Sequence, residues 1–324
     1  MAQKSAQAVA SPNIAFIKYW GNANDERRIP SNASLSMTLG GLKTTTRVTF
    51  DSTYTEDSLC IDERPADRGA SDRVSAHLDL IRSLSKETRF AHVESENNFP
   101  TGAGIASSAS AFAALTLAAA SAAGLDLDTA RLSRIARRGS GSAARSLLGG
   151  YVKLLAGNQD EDCFAVEVAP PSHWHLIDVI AVTDGQHKKT GSSLGHQSAA
   201  SSPLQTARVL DAPRRINDCC EAIRRKDFPA LAEIAEHDSN LMHAVMLTSR
   251  PPLIYWRPTT VAVMERIRIL REDGLAVFYT VDAGPNVHCI CTPEAEPEVK
   301  KQLLHIPGVR HILTASTGSP PRIC

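Results

Sequence analysis

The stretch NNFPTGAGIASSASAFAAL, residues 97–115, decides how the rest of the chain is read. Pro100 stiffens the entry to a turn, Gly102 and Gly104 permit close backbone approach, and Ser107, Ser108 and Ser110 stand at the first turn of an apolar, alanine-rich run. A helix N-terminus presents unpaired N–H groups and the positive end of its dipole, so the pattern predicts an anion site suited to nucleotide phosphates. It is a phosphate loop without the GxxxxGK[ST] spacing. Taken alone, the same residues also describe a capped helix after a flexible turn.

Two further segments repeat the theme. In RRGSGSAARSLLGGYV, residues 137–152, a glycine-serine turn leads into a short helix. Ser140 and Ser142 there are candidate anion donors, and Arg145 suits a carboxylate held by two parallel hydrogen bonds. In YTVDAGPNVHCI, residues 279–290, a β-branched strand runs into Asp282, Gly284 and Pro285. That places a carboxylate at a strand end, where a base or orienting group would face a cleft. A helix connection with a surface arginine and an Asx turn are the plain alternatives, but three such loops in one chain point to a site.

Strand patterns fall at 44–50, 151–155, 176–182, 275–281 and 287–291, and helical patterns at 108–123, 128–138, 142–148, 229–246 and 259–272. Asp126 and Asp128 are N-cap candidates for the helix near 128–138, Arg137 and Arg138 occupy its last turn, and Gly139 stands just beyond. Strands and helices interleave over 324 residues, enough for two packed lobes. Small polar residues dominate 183–204, as in a linker or a functional loop, which divides the chain into lobes of 1–185 and 186–324.

Lys+Arg and Asp+Glu both number 35, so net charge offers no case for nucleic acid or an anionic membrane, and anion binding must be local. The seven cysteines are scattered without zinc spacing, as expected of reduced thiols. In VHCIC, residues 287–291, His288 and Cys289 fall on opposite faces of a strand, which argues against a metal site. No window offers about 18 uncharged apolar residues, and the expected location is cytoplasmic.

With these segments in view, a resemblance stands out. NIAFIKYWGN…IPSNASLSMTL, ENNFPTGAGIASSASAFAAL, RRGSGSAARSLLGGYV, HDSNLMHAVMLTSRPPLIYW and TVDAGPNVH occur in that order between about residues 9 and 293. They resemble the motifs of the diphosphomevalonate decarboxylase family within the GHMP kinase superfamily. The resemblance implies an α+β, two-lobed GHMP kinase fold, with an N-terminal mixed α/β lobe and a C-terminal ferredoxin-like lobe. It further implies an ATP- and Mg2+-dependent lyase of isoprenoid biosynthesis, acting on a 5-phosphorylated mevalonate, and a homodimer, for which PPLIYW at 251–256 offers an apolar edge.

Carried over position by position, Pro100, Gly102, Gly104, Ser107 and Ser108 match the ATP-phosphate loop, with Ser107 and Ser108 also at Mg2+. Asp282 matches the aspartate that orients or deprotonates the tertiary 3-hydroxyl, Arg145 the arginine on the substrate carboxylate, and Lys18 the lysine at the reacting centre. Tyr19, Ser140 and Ser142 match the 5-phosphate end. Ser192 and Ser193 match a loop over substrate and nucleotide, where Lys188 and Lys189 are expected to be solvated. Ile14, Phe16 and Trp20 are expected on one face of a strand, and His243 in a core helix beneath the site.

One position departs from the family. After KYWG the diphosphate-using members carry a lysine, whereas Asn22 stands here. Loss of one cation at a group of about three charges costs about 1 to 3 kcal/mol of diphosphate binding, so the expected substrate is mevalonate 5-phosphate, with the diphosphate as the alternative. A mevalonate 3-kinase or a nucleotide sensor would lack part of the Lys18, Arg145 and Asp282 set.

Overall fold

The structure, a computed structural model, describes residues 3–99, 107–183 and 192–324, with the backbone alone at 192–194. Its architecture is the expected two-lobed α+β arrangement. One sheet has six strands, ordered Arg322–Ile323, Lys4–Ala10, Thr44–Phe50, Ala91–Asn97, Ser58–Ile61 and Arg64–Pro65. Ala8, Val48, Phe50 and Val93 face a core shared with helices Arg68–Leu84, Ser107–Ala122 and Thr129–Gly139. Arg47 and Glu94 point the other way and are exposed, the alternation of a half-solvated sheet.

The helix Ser107–Ala122 is buried on nearly every side, and its alanines at 109, 113, 114, 118, 119 and 120 let strands and neighbouring helices approach closely. This packing fixes where the helix N-terminus points.

The second sheet has eight strands. Its centre is Ser34–Gly40, which pairs with Tyr151–Leu154 on one side. On the other it pairs with Asn13–Ile17 and, through Leu39 and Gly40, with His311–Thr317. Beyond that point His311–Thr317, Ile177–Val182, Val287–Cys291 and Val277–Thr280 run antiparallel in the chain order fourth, first, third, second. With Pro258–Glu272 and Glu296–Leu304 on one face, packed through Val263, Ile267, Val299 and Leu303, they form the ferredoxin-like unit. Helices Gln205–Arg225 and Phe228–Thr248 cover the opposite face with Ile216, Ile223, Leu231 and Ala235.

Local expectations differ from the structure in a few places. Gly139 is the last residue of its helix, Asp128 is the N-cap, and Ser140 in extended geometry is the C-cap. The next segment, Gly141–Leu147, is a 3-10 helix. Part of the polar 183–204 stretch is ordered into a short helix, Ser192–Ser198, and a 3-10 turn, Ala199–Ser201. The division at 185/186 lies outside the described residues. Among those described, no helix is long and apolar enough to cross a membrane.

Candidate active site

The strand Asn13–Ile17 is wholly buried and delivers Lys18 to the junction of the two lobes. Lys18 N–H donates to Asp238 Oδ2 at 2.6 Å, and its side chain, 1% exposed as a residue, ends 2.6 Å from Asp282 Oδ1. Asp282 follows the strand Val277–Thr280, and a bond from Gly284 N–H to the Asp282 carbonyl (2.7 Å) closes a tight turn. Burial pushes the Lys18 ammonium below its ordinary range, and the Asp282 carboxylate opposes that shift.

Arg145 is equally deep, at 2% exposure. Its Nε donates to Ser36 Oγ at 2.9 Å, Nη1 to Ser34 Oγ at 2.5 Å and Nη2 to Asn13 Oδ1 at 3.1 Å. Three acceptors therefore fix the plane of the guanidinium, which still has N–H groups left for a carboxylate. Burial lowers its pKa to about 10 and Asp282 holds it up, so it remains charged at neutral pH. Lys18, Arg145 and Asp282 thus act on one another in one site.

The two serine loops meet. Ser108 Oγ lies 3.2 Å from Ser140 Oγ, which lies 3.3 Å from Ser142 Oγ, a row of hydroxyls leading from the first turn of Ser107–Ala122 towards Arg145. Ser107 and Ser108 also line a cavity of ≈ 330 Å3 whose wall is apolar: Leu59, Ile61, Val74, Val93 and Phe112. Arg73 lies over the Phe112 ring at 5.0 Å. A Cβ added to Gly139 would overlap Phe112, so that glycine lets the ring form this wall.

At the other end of the hydroxyl row stands Tyr19. A Cβ on Gly141 would overlap its ring, so the second glycine of GSGS exists to admit it. The Tyr19 hydroxyl donates to Asn22 Oδ1, and burial raises its pKa to about 12 against the pull of Arg28, which keeps it a donor. Asn22 Nδ2 donates to Asp25 Oδ1 at 2.8 Å. His196 lies against both Tyr19 and Trp20, with ring centroids 4.6 Å away in each case. Its Nδ1 accepts from Gly21 N–H at 3.0 Å.

Of the residues expected at a site, Lys18, Tyr19, Asn22, Ser107, Ser108, Ser140, Ser142, Arg145 and Asp282 surround this one region. Pro100, Gly102, Gly104, Lys188 and Lys189 lie outside the described residues, as do the side chains of Ser192 and Ser193. Trp20 does not share a face with Ile14 and Phe16. The strand ends at Ile17, and Trp20 packs with Met242, Val245, Met246 and Leu253, while Ile14 and Phe16 lie in the main core. His243 is buried in the helix Phe228–Thr248, with Nε2 3.3 Å from the Val281 carbonyl. His288 and Asp178 pair at 2.6 Å inside the second sheet.

Several hydrogen-bond partners of these side chains carry no local sequence signal of that role. Asn13, Ser34 and Ser36 hold Arg145, and Asp238 holds Lys18 while accepting from Arg215 Nε at 2.8 Å. The alternation of SLSMTLG, residues 34–40, was an available signal for a strand. That its serines face a buried arginine is visible only with the neighbouring strands in place.

With this geometry in view, likeness to known proteins can be weighed. The model of the diphosphomevalonate decarboxylase-like N-terminal domain matches residues 10–165, and that of the mevalonate 5-diphosphate decarboxylase C-terminal domain matches residues 178–323. The diphosphomevalonate decarboxylase of Debaryomyces hansenii is 39% identical over 320 residues, spanning 92% of this chain and 82% of that one. A solved structure described as MDDEF in complex with MVAPP, AMPPCP and magnesium is 37% identical, with a TM-score of 0.93 over 100% of this chain and 99% of that one. Mevalonate diphosphate decarboxylase from Staphylococcus aureus, 33% identical, superposes with a TM-score of 0.94 over 100% and 98%.

Proposed function

The chain belongs to the diphosphomevalonate decarboxylase family and is an ATP-dependent decarboxylase, and from that premise we propose mevalonate 5-diphosphate as its substrate. The reaction is mevalonate 5-diphosphate plus ATP to isopentenyl diphosphate, ADP, phosphate and CO2. The relatives named above are diphosphomevalonate decarboxylases, and the MDDEF complex holds MVAPP, which supports the diphosphate over the monophosphate expected from Asn22. The observation that carries the chemistry is the Lys18, Arg145 and Asp282 cluster.

In this reading the tertiary 3-hydroxyl lies against the Asp282 carboxylate, which takes its proton or orients it while the γ-phosphoryl group is transferred. Arg145 grips the substrate carboxylate in the plane set by Ser34, Ser36 and Asn13. Lys18 places positive charge where phosphate departs with the electrons of the C3–O bond, while the electrons of the bond to the carboxylate carbon form the new double bond as CO2 leaves. Tyr19, Ser140 and Ser142 donate to the 5-phosphate end.

The apolar cavity beside Ser107 and Ser108 is proposed to seat the nucleoside, with the phosphates running to the N-terminus of the helix Ser107–Ala122. Hydroxyl oxygens are donors that suit Mg2+, and no trio of His, Cys, Asp or Glu among the described residues forms a protein cage. Mg2+ is therefore proposed to bind with the phosphates, next to Ser107 and Ser108, where it would neutralise charge on the transferred group. The division of the chain into lobes near residue 185 belongs to the same proposal.

Comparing kcat/KM for the purified protein on mevalonate 5-diphosphate and mevalonate 5-phosphate, with ATP and Mg2+, tests the substrate. Preference for the diphosphate is expected; a clear preference for the monophosphate would restore the reading that began from Asn22.

A further inference from the structure

The hairpin that follows Lys18–Gly21 carries a charge that the steps above leave unused. Between the strands Asn22–Asn24 and Ile29–Pro30 the chain turns outward, and residues 23–27 are exposed. Arg28 alone turns back, half-buried. Its backbone is left-handed, φ 48°, which is uncommon for a residue with a side chain and is kept only where the surroundings hold it.

Those surroundings are specific. Arg28 N–H donates to the Asp25 carbonyl at 3.3 Å, and the buried Arg137 donates through Nη2 to the Arg27 carbonyl at 3.3 Å. Arg137 is in the last turn of the helix that hands over to Ser140, so the turn is fastened to the edge of the hydroxyl row. The pairing of Asn24 with Ile29 and of Asn22 with Pro30 ties the segment just after Arg28 to the strand that begins at Asn22, the residue that accepts from Tyr19.

Here the Arg28 guanidinium acts on Tyr19, on His196 and on Arg73, disfavouring positive charge on the last two. It forms no ion pair among the described residues. Asp25, the nearby carboxylate that acts on Tyr19, already accepts from Asn22. A half-buried guanidinium without an ion pair among the described residues, beside an uncharged tyrosine, is stabilised by a bound polyanion.

We propose that Arg28 is the specificity-determining cation for the outer phosphate of the 5-diphosphate, supplying the charge that Asn22 does not. This rests on the diphosphate reading of the site. Charge delivered from the left-handed turn of the hairpin replaces charge on its near strand.

The test uses the full chain with Arg28→Gln, Arg28→Lys and the double variant Asn22→Lys/Arg28→Gln, assayed on both phosphorylated mevalonates and on ATP. Arg28→Gln is expected to lower kcat/KM on the diphosphate by about 10- to 100-fold, the worth of one charge-assisted contact, and to lower it on the monophosphate by less than about threefold. The KM for ATP stays put, Arg28→Lys keeps part of the activity, and Asn22→Lys restores the preference for diphosphate. An equal loss on both substrates, or a rise in the KM for ATP instead, overturns the inference. If the unaltered protein prefers the monophosphate, the substrate reading fails; if it prefers the diphosphate and Arg28→Gln keeps that preference, this inference alone fails. Thermal melts separate either result from unfolding.

Discussion

Lys18 and Asp282, 264 positions apart in the chain, meet with Nζ 2.6 Å from Oδ1, the lysine side chain closed off from solvent and the carboxylate side chain 25% open. Each is held from behind. Asp238 anchors the lysine backbone, and the turn to Gly284 anchors the aspartate. A pair whose one member is buried and whose other faces the cleft is suited to passing a proton on the open side without losing its geometry.

Asp282→Asn keeps the shape and removes the proton acceptor. CO2 release is expected to fall by about 100- to 10,000-fold, the range for loss of a positioned base, while nucleotide affinity holds within about threefold. A variant that retained most of its turnover would remove Asp282 from the reaction.

The glycines of RRGSGS separate the two halves of the site. Gly141→Ala is expected to displace Tyr19 and raise the KM for the phosphorylated mevalonate by about tenfold, with the KM for ATP little changed. Gly139→Ala pushes on Phe112 and is expected to do the reverse, because that ring lines the cavity proposed to seat the nucleoside. Steady-state kinetics with each substrate varied in turn shows whether the two effects cross.

Asp238 is fully buried between the Lys18 N–H and Arg215, with Arg208 4.0 Å away. Asp238→Asn leaves the buried Arg208 without a counter-charge and Arg215 with Asp211 alone, and is expected to cost about 3 to 5 kcal/mol of unfolding free energy. Urea denaturation reads this directly, and a loss below about 1 kcal/mol would mean that the arginines find other partners.

His243 governs part of the acid response. Burial lowers its pKa from the ordinary 6.5 to about 4, with the Lys18 charge adding to the shift. The unfolded chain therefore binds a proton that the folded one refuses, and stability falls as pH drops from about 6.5 towards 4. His243→Gln retains a donor for the Val281 carbonyl and is expected to flatten the stability slope in that window by about 1.4 kcal/mol per pH unit. Unfolding curves taken at intervals between pH 4 and 7 measure the difference; parallel slopes would rule out the role given to His243.

Much of this was legible along the chain because the signals are local. The helix that begins at Ser107, the serine turn at 140–142 and the strand that ends before Asp282 are each written in about ten consecutive residues. The helices Arg68–Leu84 and Gln205–Arg225 were less so. Pro213 interrupts the second, and tertiary packing through Ile216, Cys219 and Ile223 overrides that break.

Sequence patterns were enough for the α+β class, for the helix that begins at Ser107 and for the family, since glycine, serine and proline spacing constrain the backbone over a few residues whatever surrounds them. The company each side chain keeps came from long-range register. Ser34 and Ser36 look like the solvated face of a strand, yet the pairing of Ser34–Gly40 with Tyr151–Leu154 and Asn13–Ile17 buries them against Arg145. Arg28 looks like one more charge on a polar loop, and a left-handed turn fastened by Arg137 brings its charge to bear on Tyr19. Such contacts join segments about a hundred residues apart, and no local window contains the free energy that selects them.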